Sequence, residues 1–149
     1  MAMPKSVVRI NNKNGVTFID NVERTQYTLR ELTRAALRDT GKFVCRRFSN
    51  NYYSVFKRKK RRVGRATQWW VRRRELNLQV GIKPNGFYGG FQELGSSKTK
   101  KLGLLQKSVK ENIAMIVKIQ SQYLSALESE ARAVALIRDK EYKGGADGE

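Results

Sequence analysis

Between Lys57 and Arg74 the chain places ten cations in eighteen residues with no acid among them, and six of the ten run unbroken from Lys57 to Arg62. Repulsion at that density works against a free-standing helix, so about 57–66 reads as a basic loop with ordered elements arranged around it.

On its N-terminal side, Val7, Val8 and Ile10 face Val16, Phe18 and Ile19 across the turn-rich stretch ending in Asn14-Gly15. This pattern fits a small hairpin, and it fits equally an extended arm over about 1–25 that orders against a neighbour. Thr28 followed by Glu31 is a capping-box signature, and Leu29, Leu32, Ala36, Phe43 and Phe48 then recur at roughly helical spacing. Arg30, Arg34, Arg38, Lys42 and Arg46 recur every fourth residue, so the helix is expected to run through Gly41 to about Tyr53.

Beyond the loop, Gln68 to Arg73 has strand composition, and Leu76, Leu78, Val80 and Ile82 alternate with polar or small residues as a half-buried strand does. Pro84 to Gly103 carries five glycines and a Ser-Ser pair, which predicts a long loop anchored by Phe87, Tyr88, Phe91 and Leu94. A helical stripe then runs from Leu105 through Val109, Ile113, Ile116, Gln120, Tyr123, Leu127 and Ala131 to Val134. An unbroken helix of about 30 residues spans roughly 45 Å, enough to reach a neighbouring subunit.

Charge is divided unevenly. Of 31 Lys and Arg residues, 24 lie in the first 102 positions against six acids, while the remaining 47 residues balance seven against seven. The net +18 therefore belongs to the front of the chain and points to a negatively charged partner: DNA, RNA or an acidic protein surface. The single cysteine, Cys45, and the absence of histidine exclude an intrachain disulfide, a Cys/His zinc site and a catalytic histidine. Cys45 shares a helix face with apolar residues and is expected to be a packing group rather than a nucleophile. Glu93 has no second carboxylate at useful spacing, and the glycines at 86, 89 and 90 lack the Gly-Lys-Ser/Thr that completes a phosphate loop. The expectation is a non-enzyme without cofactor or metal. No apolar run approaches the roughly 20 residues of a membrane span, and 1–14 lacks the core of a signal peptide, so neither membrane insertion nor secretion by that route is expected. Trp69 and Trp70 beside Arg72, Arg73 and Arg74 can stack on bases. More often, adjacent aromatics on a strand place one ring in the core and one at an interface, which is the expectation here.

The order Val80-Gly81-Ile82-Lys83-Pro84, then Phe87-Tyr88-Gly89-Gly90-Phe91-Gln92-Glu93-Leu94-Gly95-Ser96-Ser97-Lys98, then a long helix from about Leu104, resembles the head-to-tail joining proteins of long-tailed bacteriophages. Two stretches depart from that pattern. Gly64-Arg65-Ala66 matches the family's Thr-Gly-Arg-Leu-like turn only loosely, and Lys100-Lys101-Leu102-Gly103 replaces a Pro-rich lead into the last helix. The resemblance implies a structural virion protein at the head–tail interface, assembled in the host cytoplasm. It would be a tail-completion or neck subunit forming a homo-oligomeric ring around the DNA path. Its partners would be the neck or connector proteins and the tail-tube or tail-terminator proteins, with sequence-independent contact to genomic double-stranded DNA.

The expected fold is α+β, a small antiparallel sheet packed against a long N-terminal helix and a long C-terminal helix, with an extended loop between strand and last helix. One domain is expected over 1–142, followed by a flexible tail at 143–149. Lys57, Arg58, Lys59, Lys60, Arg61, Arg62, Arg65, Arg72, Arg73 and Arg74 are the expected contacts to DNA or an acidic partner. Phe87, Tyr88, Phe91, Glu93, Leu94, Lys98, Lys100 and Lys101 are the expected subunit or partner interface. The alternative is a small basic protein that binds nucleic acid without reading its sequence.

Overall fold

The computed structural model describes residues 4–5, 7–11, 16–57 and 63–144. Arg58, Lys59, Lys60, Arg61 and Arg62, the Asn14-Gly15 turn and the tail from 145 lie outside the described residues. The architecture is α+β: two antiparallel hairpins, β1–β2 and β3–β4, accompany one long helix and a series of shorter ones.

Strands β1 (Val7–Asn11) and β2 (Val16–Asp20) pair with Val7 opposite Asp20 and Asn11 opposite Val16. Helix α1 (Val22–Val55) follows after a single residue. Its start is fixed by Asp20, whose Oδ1 accepts the Val22 N–H at 3.0 Å, and not by Thr28. Thr28 lies inside the helix, where its hydroxyl donates to the Arg24 carbonyl at 2.9 Å, and Glu31 pairs with Arg34 at 2.7 Å. The capping signature is thus absorbed by contacts within one helix.

The chain divides into two compact units, one from 1–35 with 122–149 and the other from 36–121. In the first, Thr28, Leu32, Ala35, Tyr123, Ala126, Ala133 and Ile137 are buried, and Arg24 forms an ion pair with Glu130.

In the second unit, β3 (Thr67–Arg72) and β4 (Asn77–Ile82) pair antiparallel with Thr67 opposite Ile82 and Arg72 opposite Asn77. Alternation puts Thr67, Trp69 and Val71 with Leu78, Val80 and Ile82 on one face of this ribbon. That face meets α1 at Gly41, where a Cβ would lie 2.9 Å from Trp69 Cγ and 3.0 Å from Leu78 Cδ1. The mid-helix glycine is thus a site of close approach, and α1 continues through it. Leu76 is not part of the strand. It sits in the turn at φ 49°, with its N–H donating to the Arg72 carbonyl at 3.0 Å, because closing the hairpin there requires a left-handed residue.

Two turns further along α1, Phe48 and Tyr52 pack with Val63 and Leu104 in a core flanked by Tyr53, Phe56 and Leu105. Phe48, Tyr52 and Phe56 recur every fourth residue, so their rings stack along one helix face, with centroids 5.9 and 4.7 Å apart. Ser108 is fully buried there. It accepts a hydrogen bond from Asn51 Nδ2 at 2.9 Å and donates to the Leu104 carbonyl at 2.7 Å.

The expected long loop contains a helix, α2 (Tyr88–Leu94), behind a 3₁₀ turn at Pro84–Gly86. The expected single C-terminal helix is three: α3 (Leu104–Lys110), α4 (Ile113–Ser125) and α5 (Glu130–Gly144). A 3₁₀ turn at Ala126–Glu128 and the extended Ser129 (φ −132°, ψ 114°) separate the last two.

Candidate partner-docking and nucleic-acid surface

Residues 36–121 hold 21 Lys and Arg against four Asp and Glu, a net +17, whereas the rest of the chain holds ten against nine. The excess positive charge thus belongs to one structural unit, whose bounds differ from the split at residue 102 drawn from the sequence. Lys57 is exposed just beyond α1, Arg65 is exposed at the end of a 3₁₀ turn, and Arg72, Arg73 and Arg74 are exposed at the tip of the β3–β4 ribbon. Arg72 donates to Glu75 at 2.8 Å, and Asn77 donates to the same carboxylate oxygen at 2.8 Å. These two hydrogen bonds, the one from Arg72 first, hold the Glu75 carboxyl below the usual carboxylate range.

The two tryptophans separate as ribbon geometry dictates. Trp69 lies on the face against α1, with Lys42 Nζ 5.9 Å from its ring centroid, while Trp70 is on the opposite face and 43% exposed.

Helix α2 meets the unit through a glycine instead of its large side chains. A Cβ on Gly89 would lie 2.6 Å from Val63 Cγ1 and 3.0 Å from Ile82 Cδ1. Its apolar side chains are therefore left outside: Tyr88 is 61% and Leu94 76% exposed, and Phe87 and Phe91 are likewise exposed. Phe87 stacks on Tyr88 with centroids 3.9 Å apart and meets Phe91 edge-on at 6.4 Å. The structure thus gathers Phe87, Tyr88 and Phe91 into one aromatic cluster.

Glu93 turns the other way. Its carboxylate accepts the N–H of Leu105 at 2.9 Å and of Gln106 at 3.0 Å, which caps α3 and ties it to α2. Between them, the Ser96 hydroxyl accepts the N–H of Lys98 and Thr99, and Leu102 N–H donates to the Gln92 carbonyl at 2.8 Å. This compact loop presents Lys98, Lys100 and Lys101 to solvent.

Sequence reasoning missed the apolar surface of α4. Lys118 is the only charged residue among its thirteen, and Ile113, Met115, Val117 and Leu124 are exposed, the first and third at 54% each. A helix apolar on most sides belongs in an interior, so exposure here marks surface that another chain can cover. The signal was in the sequence as excess: Ile113 to Ile119 carries more apolar residues than one helical stripe uses.

Cys45 is half-buried, and burial pushes its thiol up against the opposing effects of a Thr67 hydrogen bond and the Lys83 charge. Among the described residues no three His, Cys, Asp or Glu side chains cluster as a metal site, and no helix is long and apolar enough to cross a membrane. A cleft of about 180 Å³ lined by Asn21, Arg24, Thr28 and Glu130 is smaller than ordinary ligand pockets of about 300–1,000 Å³.

No family model matches the sequence, and no curated protein or solved structure matches it either.

Proposed function

We propose that this chain is a structural virion protein of a tailed bacteriophage. It acts as a tail-completion or neck subunit that oligomerises into a ring joining the head connector to the tail around the DNA path. The carrying observation is the exposed aromatic cluster of α2, which falls within the segment, Phe87 to Lys98, that resembles head-to-tail joining proteins. Exposed rings held on a helix that Gly89 seats against Val63 and Ile82 form a ready-made protein contact. The apolar side chains of α4 supply a second one, and a ring requires two different surfaces that mate head-to-tail between copies. In this reading the exposed cations of 36–121 meet DNA or acidic neck and tail proteins, and no reaction is catalysed.

Electron microscopy of the purified protein mixed with tails and with connector-bearing heads tests the proposal. Rings, or density at the junction that disappears with Phe87→Ser/Phe91→Ser, are expected. A protein that stays monomeric and joins neither structure overturns it.

The net +17 of 36–121 favours a second reading, a sequence-independent nucleic-acid-binding protein. That reading requires the isolated chain to bind DNA or RNA with an affinity that falls steeply with salt. Negligible binding at physiological ionic strength refutes it.

A further inference from the structure

The outward face of the β3–β4 ribbon combines features that neither a core nor a plain charged loop needs. Register places Gln68, Trp70 and Arg72 beside Gly81, Gln79 and Asn77 on this face. Trp70 is 43% exposed although its neighbour Trp69 shows that the unit has a place for an indole against α1. Diagonal to Trp70, the position of a Gly81 Cβ has no heavy atom of the described residues within 4 Å, so among these residues the surface beside the indole is open. The result is an aromatic ring on a polar, unobstructed shelf.

Charge decides what suits that shelf. Exposed Arg65 and Lys83 flank one end of the ribbon, and exposed Arg73 and Arg74 form the other. From 63 to 92 the only acid is Glu75, already engaged by Arg72 and Asn77. Six residues of strand at about 3.3 Å each separate the two cationic ends by roughly 20 Å. A partner complementary to this face carries negative charge at both ends and a flat π surface between. An acidic protein offers the first without the second, and a base-paired duplex buries its base faces. A single nucleic-acid strand offers both.

We propose that the outward face of the β3–β4 ribbon binds single-stranded nucleic acid, with Trp70 stacking on an unpaired base and Arg65, Lys83, Arg73 and Arg74 holding the flanking phosphates. The inference rests on reading 36–121 as a phosphate-facing unit, and it adds the strandedness of the ligand and the residue that senses it.

The test is titration of the full chain with an oligothymidylate of about 12 nucleotides, followed by anisotropy of a labelled strand and by tryptophan emission. A duplex of equal length and polyglutamate serve as comparison ligands. The single strand should bind more tightly than either and quench the emission. Trp70→Ala should weaken single-strand binding about tenfold and leave duplex binding within twofold. Trp70→Phe, which keeps a ring, should retain most of the affinity and lose most of the quenching. It also guards against a folding defect in the alanine variant. Arg73→Gln/Arg74→Gln should flatten the logarithmic salt dependence by about 1.4, at roughly 0.7 per phosphate.

The proposal is overturned if Trp70→Ala binds the single strand as the parent does, if emission does not respond, or if duplex or polyglutamate binds equally well. No binding to any polyanion between about 50 and 200 mM salt overturns the phosphate-facing reading itself. Salt-dependent binding without a Trp70 effect leaves that reading standing and removes only this one.

Discussion

Gly41→Ala should destabilise the protein, against the usual trend for glycine in a helix. In the middle of α1, alanine is worth about 1 kcal/mol over glycine through backbone entropy alone. The new Cβ, however, would lie 2.9 Å from Trp69 Cγ and 3.0 Å from both Trp69 Cβ and Leu78 Cδ1. Carbon atoms in good contact sit about 3.5–4.0 Å apart, so the helix and strand β3 must separate by several tenths of an ångström. Leu78 Cδ1 is the end of a flexible side chain and can swing away. Trp69 Cβ and Cγ cannot move without their backbone, which is paired to β4. Over-packing of this kind costs about 1–3 kcal/mol, which leaves a net loss of about 1 kcal/mol after the helix gain. Urea unfolding followed by circular dichroism reads this directly, and melting should fall by roughly 2–4 °C. In a Trp69→Gly background both Cβ and Cγ are absent and Leu78 Cδ1 can swing into the space the indole leaves, so there Gly41→Ala should stabilise. A stabilised single variant, or an unchanged sign in the double, would falsify the close-approach argument.

Glu93→Ala should cost about 1–2 kcal/mol and speed hydrogen exchange at the Leu105 and Gln106 amides, with Glu93→Gln intermediate; unchanged exchange at both amides counts against the cap. The buried Tyr52 hydroxyl finds no hydrogen-bond partner among the described residues, so Tyr52→Phe should be neutral or stabilising by up to about 1 kcal/mol in urea unfolding. A clear loss of stability there would show a bond that the hydroxyl makes in solution. Burial raises the Cys45 thiol pKa, so at pH 8 less thiolate is present in the folded chain than in the unfolded one. Native protein should therefore react more slowly with iodoacetamide than urea-unfolded protein, and equal rates would contradict the burial.

Much of the fold was legible because its signals were periodic. The fourfold spacing from Arg30 to Arg46 carried α1 through Gly41, and the alternation of Leu78, Val80 and Ile82 found β4. What failed was local chemistry with two solutions. Thr28 and Glu31 can cap a helix or bond within one, and Asp20, closer to the hairpin, took the cap. Leu76 continues the alternation on paper, but a hairpin tip needs residues that close it, and the tip falls there. Glycine-rich Phe87 to Leu94 read as loop because Gly89 and Gly90 disfavour helix, whereas Gly89 is the contact that lets the helix dock. The C-terminal stripe held its face in α4, where Ile116 and Gln120 are half-buried and Tyr123 is buried, and missed it in α3. Leu104 and Ser108 are buried where Leu105 and Val109 were expected, since register against α1 is a tertiary choice. For the site, cation number was legible and its confinement to one structural unit was not, because the boundaries at 36 and 121 come from folding.

The two kinds of surface on this chain respond oppositely to ionic strength, and that opposition makes their roles separable. Copies that approach through the exposed apolar side chains of α2 and α4 also bring together units of net +17, so their repulsion opposes association at low salt. Screening shortens the Debye length from about 30 Å at 0.01 M to about 8 Å at 0.15 M, which removes most of that repulsion and leaves apolar burial unopposed. Binding of nucleic acid follows the reverse course, because it gains from counterion release that added salt suppresses. Self-association measured by sedimentation should therefore rise across the range in which oligonucleotide affinity falls. A bound polyanion at low salt should substitute for screening and promote assembly by itself. If added salt and added polyanion both dissociate the oligomer, then charge pairs hold the copies together, and the apolar faces of α2 and α4 are not the contact.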